Sequence, residues 1–180
     1  MPRFLPLAAV ALSLGAAPLC AALPVGTKAP DIETQASLAG KAMPFSLKAA
    51  LKKGPVVLYF YPAAFTPGCT VEAHLFADAT DDFKKLGATV VGMSADPIDK
   101  LDKFSKTECR EKFAVGSASA ATIAAYDVSL PKTTISNRTS FVIAPDGKII
   151  FMHSEMAPQG HITGTMDAVK AWRAKHPAKG

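Results

Sequence analysis

Cysteine is scarce in this sequence: Cys20, Cys69 and Cys109 are the three among its 180 residues. No two of them form a Cys-x-x-Cys pair, which argues against an enzyme that exchanges disulfides through a dithiol motif. The four histidines have no paired spacing of the kind that indicates a metal site. They stand at positions 74, 153, 161 and 176.

Charge is also limited. The chain has 20 Lys and Arg against 15 Asp and Glu, a formal net charge of +5. Because no dense basic cluster is interleaved with aromatic residues, nucleic-acid binding is not indicated. Apolar residues make up 49% of the sequence, and the length is enough for one globular domain with its own core. We see no repeat, second domain or low-complexity tract.

The first 22 residues have the features of a cleavable signal peptide. Met1-Pro2-Arg3 is a short positive region, and the apolar run over 4–17 is too short for a confident membrane span. Small residues at 20–22 suit a signal peptidase. We therefore predict cleavage after Ala22, which leaves a mature domain over 23–180. The protein is expected to be exported, with the bacterial periplasm as its compartment. An uncleaved membrane tether is the alternative.

Cleavage there would also remove Cys20 and leave two cysteines, Cys69 and Cys109. An even pair in an exported protein indicates a disulfide. This could be a static structural bridge or a redox-active pair.

Strand and helix patterns alternate along the chain, which predicts an α/β sandwich with a central mixed sheet flanked by helices. A helix is expected to open at Asp96-Pro97, with Asp96 as its cap, and to reach Cys109 near its end. Strands are predicted over 55–61, 89–94, 139–144 and 148–153, and further helices over 69–86, 120–126 and 158–175.

Cys69 is predicted to lie at the start of a helix, a position that favours the reactive thiolate form of a cysteine. The strand-like run Val56–Tyr61 ends in a loop rich in Pro and Gly, which delivers Cys69 to the first turn of a helix. Unpaired N–H groups and the helix dipole favour the thiolate there, and the thiolate is the nucleophile. A buried structural cysteine is the alternative, but it would not explain Thr66 or the shape of the loop.

The same stretch resembles a known family. Pro62-x-x-x-Thr66-x-x-Cys69 is similar to the active-site motif of peroxiredoxins, within the alkyl hydroperoxide reductase C and thiol-specific antioxidant superfamily. The wider segment 60–72 resembles the peroxiredoxin Q, or bacterioferritin comigratory protein, branch. The resemblance covers about residues 24–175. It implies a thioredoxin-like fold and a thiol peroxidase that needs no metal, haem or flavin.

The resemblance also implies roles for individual residues. Cys69 would be the peroxidatic cysteine, and the Thr66 hydroxyl would bond the peroxide and the sulfur. Arg138, which opens a family-like Arg-Thr-Ser-Phe segment, would stabilise the thiolate and orient the peroxide. Pro62 would shield the sulfur from water, and Glu72 is expected to be structural support rather than a base.

One position departs from a common pattern. Many peroxiredoxin Q members carry the resolving cysteine five residues after the first, where this chain has His74. Others carry it on the next helix, and Cys109 matches that arrangement. The resemblance thus implies an intrachain Cys69–Cys109 disulfide that is reduced by thioredoxin or a thioredoxin-like partner. It also implies a monomer that reduces hydrogen peroxide or organic hydroperoxides. Two rivals stay open: a thiol–disulfide oxidoreductase on the same fold, and a non-catalytic binding domain closed by a disulfide.

Overall fold

The computed structural model describes residues 22–177, which form seven strands and five helices. The predicted signal peptide lies outside these residues except for Ala22, which is buried against the core. The strands are β1 (Glu33–Leu38), β2 (Lys41–Ser46), β3 (Val56–Phe60), β4 (Thr89–Ser94), β5 (Ala114–Ser117), β6 (Thr139–Ile143) and β7 (Ile149–Ser154). The helices are α1 (Leu47–Leu51), α2 (Pro67–Lys85), α3 (Ile98–Thr107), α4 (Ala120–Ala125) and α5 (Gln159–Lys175).

The strands form one mixed sheet in the order β2-β1-β5-β4-β3-β6-β7. The central pairs β3–β4 and β4–β5 are parallel, and the outer pairs are antiparallel. The predicted hairpin over 139–153 is present as β6 and β7, with the turn at Gly147 in the left-handed region (φ 85°). The predicted mixed sheet between helices is therefore confirmed.

Strand β3 is buried along its whole length because helices cover both faces of the sheet. Its side chains alternate between two apolar layers. Val56, Leu58 and Phe60 pack in the layer that contains residues of α1 and α4. Val57 and Tyr59 pack in the layer that contains residues of α2, α3 and α5.

The register of the central strands assembles the site. β3 and β4 are parallel, so they end at the same edge of the sheet, and α2 follows β3 from that edge. β6 runs antiparallel to β3, with Thr139 opposite Phe60. The residue before Thr139, Arg138, therefore lies beside the start of the loop that leads to α2.

Two expected element bounds were wrong, and strands β1, β2 and β5 had no predicted range. Helix α2 begins at Pro67 rather than Cys69, because proline suits the first helical position, where no N–H is needed. Helix α3 ends at Thr107, so Cys109 lies two residues beyond it rather than within it. Strand β5 was not predicted; its four residues, Ala-Val-Gly-Ser, are too short and small to carry a strand pattern.

Candidate active site

Cys69 is the third residue of α2 and is 2% exposed. In the first backbone hydrogen bond of the helix, the Thr70 N–H donates to the Thr66 carbonyl. The N–H groups of Gly68 and Cys69 precede it, and such groups have no acceptor inside their own helix. The sulfur thus lies at the positive end of the helix dipole, beside donors that an incoming oxygen could use.

Arg138 supplies a cation to the sulfur. Its Nη2 donates to Cys69 Sγ at 3.5 Å, its Nε donates to the Met156 carbonyl at 2.9 Å, and its Nη1 donates to Glu72 Oε2. The side chain is 3% exposed. A planar guanidinium with partners on three nitrogens is fixed in orientation, which a lysine ammonium could not reproduce.

Gly68 provides the space for this arginine. A Cβ at position 68 would lie 3.0 Å from Arg138 Nη2. That distance is tighter than ordinary contact, so a larger residue would push the guanidinium away from the sulfur. The small size of Gly68, rather than a special backbone conformation, thus leaves room for the arginine.

Glu72 lies one helical turn after Cys69 and is completely buried. Burial raises the pKa of Glu72 to about 8, although the charge and hydrogen bond of Arg138 lower it. Arg138 therefore faces two possible anions, the Cys69 thiolate and the Glu72 carboxylate. A carboxyl that keeps its proton at neutral pH leaves the arginine charge to the sulfur, in keeping with the supporting role predicted for Glu72.

The loop before α2 is held in an unusual conformation. Phe65, a non-glycine residue, has φ 67° in the left-handed region. Its ring packs edge-on against Phe104 of α3, with 5.2 Å between the ring centroids. The Thr66 hydroxyl donates to the Ala63 carbonyl at 3.0 Å, which leaves its oxygen lone pairs available. Pro62 is half-buried at the start of this loop; the peroxide-binding role of Thr66 and the shielding role of Pro62 remain predictions.

Asp96 does not cap α3 as expected. Its carboxylate accepts from the Ala64 N–H at 2.7 Å, from Ser94 Oγ at 2.8 Å and from Lys100 Nζ at 2.7 Å. Pro97 occupies the cap position and makes no side-chain cap bond. The carboxylate thus connects the loop before Cys69 to the end of β4, a contact between distant segments that local pattern could not reveal.

Cys109 is fully buried and, like Cys69, is a free cysteine. Burial raises the pKa of the Cys109 thiol far above its usual range, so this cysteine is protonated in the folded state. It lies in the same apolar layer as Cys69, together with Tyr59, Tyr61 and Phe104.

The segment around Cys109 is attached to α2 by three polar side-chain contacts, which we call the clasp. His74 Nε2 lies 2.8 Å from Glu108 Oε2, Asp78 Oδ1 lies 2.5 Å from Arg110 Nη1, and Asp81 Oδ2 lies 2.8 Å from Lys112 Nζ. The α2 partners are spaced four and three residues apart, so they share one face of the helix. The clasp was missed in the sequence because its two halves lie 31 to 34 residues apart.

Two residues inside the clasp segment have unfavourable backbone angles. Arg110 has φ 49° and Glu111 has φ 60°, both in the left-handed region. Each non-glycine residue there costs roughly 1–2 kcal/mol. Two opposing contributions therefore act on the segment next to Cys109. The clasp contacts with α2 favour its observed conformation, and the backbone strain disfavours it.

The comparisons with known proteins agree with this geometry. Residues 25–152 match the AhpC/TSA family. The chain belongs to this family. Peroxiredoxin Bcp of Escherichia coli is 32% identical over 127 residues, which is 67% of this chain and 79% of that protein. Peroxiredoxin Bcp of Bacillus subtilis is 29% identical over 153 residues, covering 81% of this chain and 94% of that one.

A solved structure agrees as well. The structure of peroxidoxin BcpB from Mycobacterium tuberculosis superposes with a TM-score of 0.73 at 33% identity, covering 82% of this chain and 96% of that one. These relatives confirm the thioredoxin-like fold and the peroxiredoxin Q branch. The chain is therefore a peroxiredoxin, a thiol-dependent peroxidase.

Within residues 22–177 the peroxiredoxin contains no helix long and apolar enough to cross a membrane. Over the same range, no group of three or more His, Cys, Asp or Glu side chains is arranged to hold a metal ion.

Proposed function

We propose that this peroxiredoxin reduces hydrogen peroxide and organic hydroperoxides through Cys69. The Cys69 thiolate attacks one peroxide oxygen, the O–O bond breaks, and the leaving oxygen takes a proton and departs as water or alcohol. Cys69 becomes a sulfenic acid. The observation that carries this proposal is the 3.5 Å contact between Arg138 Nη2 and Cys69 Sγ at a buried helix N-terminus.

Arg138 acts electrostatically in this scheme. Its fixed positive charge stabilises the thiolate before attack and the negative charge on the leaving oxygen as the O–O bond breaks. The N–H groups of Gly68 and Cys69 would receive the distal oxygen, and the Thr66 hydroxyl would hold the oxygen that is attacked. Pro62 would limit the access of water.

Cys109 is the proposed resolving cysteine. Its thiol condenses with the sulfenic acid, water leaves, and an intrachain Cys69–Cys109 disulfide forms. A thioredoxin or thioredoxin-like dithiol then reduces the disulfide and is itself oxidised. A disulfide needs Cα atoms within about 7 Å. Both cysteines are buried and free in this structure, so we expect local rearrangement around them to accompany this step.

The wild type and two variants test the cycle by intact mass spectrometry after one equivalent of peroxide. The wild type should lose two hydrogens, Cys109→Ser should consume one equivalent and stop at the sulfenic acid, and Cys69→Ser should consume none. Peroxide turnover by Cys69→Ser would overturn the peroxidatic assignment. Normal cycling of Cys109→Ser with thioredoxin would overturn the resolving one.

We also propose an exported monomer. Export rests on the composition of residues 1–22, and the monomer rests on the family resemblance. Fractionation of cells that express the full chain, with the mass of the recovered protein, would test export and locate cleavage. Recovery of the uncut chain from the cytoplasm would contradict it, and light scattering would test the monomer.

A further inference from the structure

His161 lies behind the active site on α5, and its ring is completely buried. Nε2 is 2.9 Å from the Glu155 carbonyl oxygen, and Nδ1 is 2.8 Å from Ser140 Oγ. A carbonyl oxygen can only accept, so Nε2 carries the ring proton. Nδ1 then accepts from the Ser140 hydroxyl, and one neutral tautomer satisfies both contacts.

His161 and Arg138 donate to the backbone carbonyls of two consecutive residues. Glu155 and Met156 follow one another in the loop between β7 and α5, and the Met156 carbonyl accepts from Arg138 Nε. Met156 itself exposes 60% of its surface. The hydrogen bond from His161 therefore limits the motion of the backbone acceptor that orients the guanidinium.

A second path runs through Glu72. Its Oε2 accepts from Arg138, while its Oε1 is buried without a hydrogen-bond partner among the described residues and lies 3.9 Å from His161 Nδ1. When the His161 ring is neutral, its Nδ1 has no proton to donate, and among residues 22–177 Glu72 accepts only from Arg138. A protonated ring would present an N–H to Oε1 and compete with Arg138 for the Glu72 carboxyl group.

The surroundings of His161 keep it neutral. Burial, His153 and Arg138 lower the pKa of His161 to about 4, although the hydrogen bond to Glu155 raises it. The His153 ring packs edge-on from β7, with 4.6 Å between centroids, and the Glu155 carboxylate lies 3.8 Å from that ring rather than against His161.

We propose that His161 is a positioning residue for Arg138, acting through the Glu155–Met156 backbone and by leaving Glu72 to the arginine. Without its Nε2–H donor, the loop and the guanidinium would move, and the Cys69 thiolate would lose part of its stabilisation. This inference rests on Cys69 being the reactive thiol.

The test compares two variants of nearly equal size in a Cys109→Ser background. The amide of His161→Gln can still donate to Glu155, whereas His161→Met has no donor. Two quantities are measured. The first is the pH midpoint of the thiolate absorbance that belongs to Cys69, identified as the part that disappears in Cys69→Ser. The second is the rate at which iodoacetamide alkylates Cys69. Neither measurement needs peroxide, so both test the role of His161 independently of peroxidase activity. The turnover assays described above test the peroxidase proposal.

We expect His161→Met to raise the midpoint by about one pH unit and to slow the alkylation of Cys69 by up to about ten-fold at pH 7. His161→Gln should stay within three-fold of the wild type. The matched control is Thr165→Val, one turn along α5, which removes a buried bond to the His161 carbonyl and should lower Tm without moving the midpoint.

Equal effects of the glutamine and methionine variants would overturn the proposal, as would a midpoint shift in the Thr165 control as large as that of His161→Met. If His161→Met does not fold, His161→Gln decides alone. A rate within three-fold of the wild type supports the proposal, and a ten-fold loss overturns it.

Discussion

The clasp should control how fast the disulfide forms. In the proposed cycle, the segment around the buried Cys109 detaches from α2 before the two sulfur atoms meet. If this opening is a rapid equilibrium before condensation, any change in its free energy appears directly in the rate. The clasp allows that free energy to be changed in both directions.

Asp78→Asn should speed the step. It removes the charge that pairs with Arg110 at 2.5 Å, a pair in which both side chains are about half exposed. Such exposed pairs contribute about 0.5 kcal/mol, which corresponds to roughly a two-fold change in rate. Higher salt should act in the same direction because it screens exposed charges.

Glu111→Gly should slow the step. Glu111 has φ 60°, and glycine adopts this conformation without the roughly 1 kcal/mol steric cost. The greater freedom of glycine in the open segment offsets part of that gain, so a net effect of about 0.5 kcal/mol is expected. Disulfide formation should then be about two-fold slower than in the wild type.

The assay mixes reduced protein with one equivalent of peroxide, quenches at intervals, and counts sulfenic acid and disulfide by intact mass. Asp82→Asn is the matched control, because Asp82 is on the same helix but pairs with Lys85 within it. The reasoning is refuted if Asp82→Asn changes the rate as much as Asp78→Asn, or if Glu111→Gly accelerates the step.

Three further predictions concern the sulfur and its cation. Gly68→Ala should slow peroxide reduction about ten-fold with little change in Tm, because its Cβ would displace Arg138; stopped-flow rates and thermal melts check this. Arg138→Lys should lower the rate about 100-fold, since an ammonium cannot hold all three partners; recovery of wild-type rates would contradict the fixed-cation role. The raised pKa of Glu72 contributes stability that is complete below the unfolded value, near 4.5, and lost as pH rises through about 8. Urea unfolding should therefore show wild-type stability falling from pH 5 to pH 8 more steeply than that of Glu72→Gln, and parallel profiles would contradict this.

Local chemistry explains what could be predicted. Strand β3 reads as a continuous apolar run because both of its faces are covered, and the Pro-Gly loop after it delivers Cys69 to a helix start wherever the rest of the chain goes. The β6–β7 hairpin follows from the turn residues Pro145-Asp146-Gly147. In each case neighbouring residues decide the outcome.

Other features depended on segments far apart in the chain. Asp96 was expected to cap its own helix, but the Ala64 N–H and Ser94 hydroxyl compete for its carboxylate once the strands align. His161 had no sequence signal, because its partners come from β6 and from the loop after β7. The clasp needs α2 and the segment after α3 to be packed together before its side chains can meet.

The sequence by itself predicted which atom reacts, because a cysteine in the first turn of a helix, after a loop of this composition, acquires its donors and dipole from its immediate neighbours. Only the tertiary structure decided how that atom is supported. The antiparallel register brings Arg138 to the sulfur, burial sets the proton on Glu72, and packing places Cys109 under a strained, charged segment. These depend on distances between residues that are remote in sequence, and such distances exist only after the chain has folded.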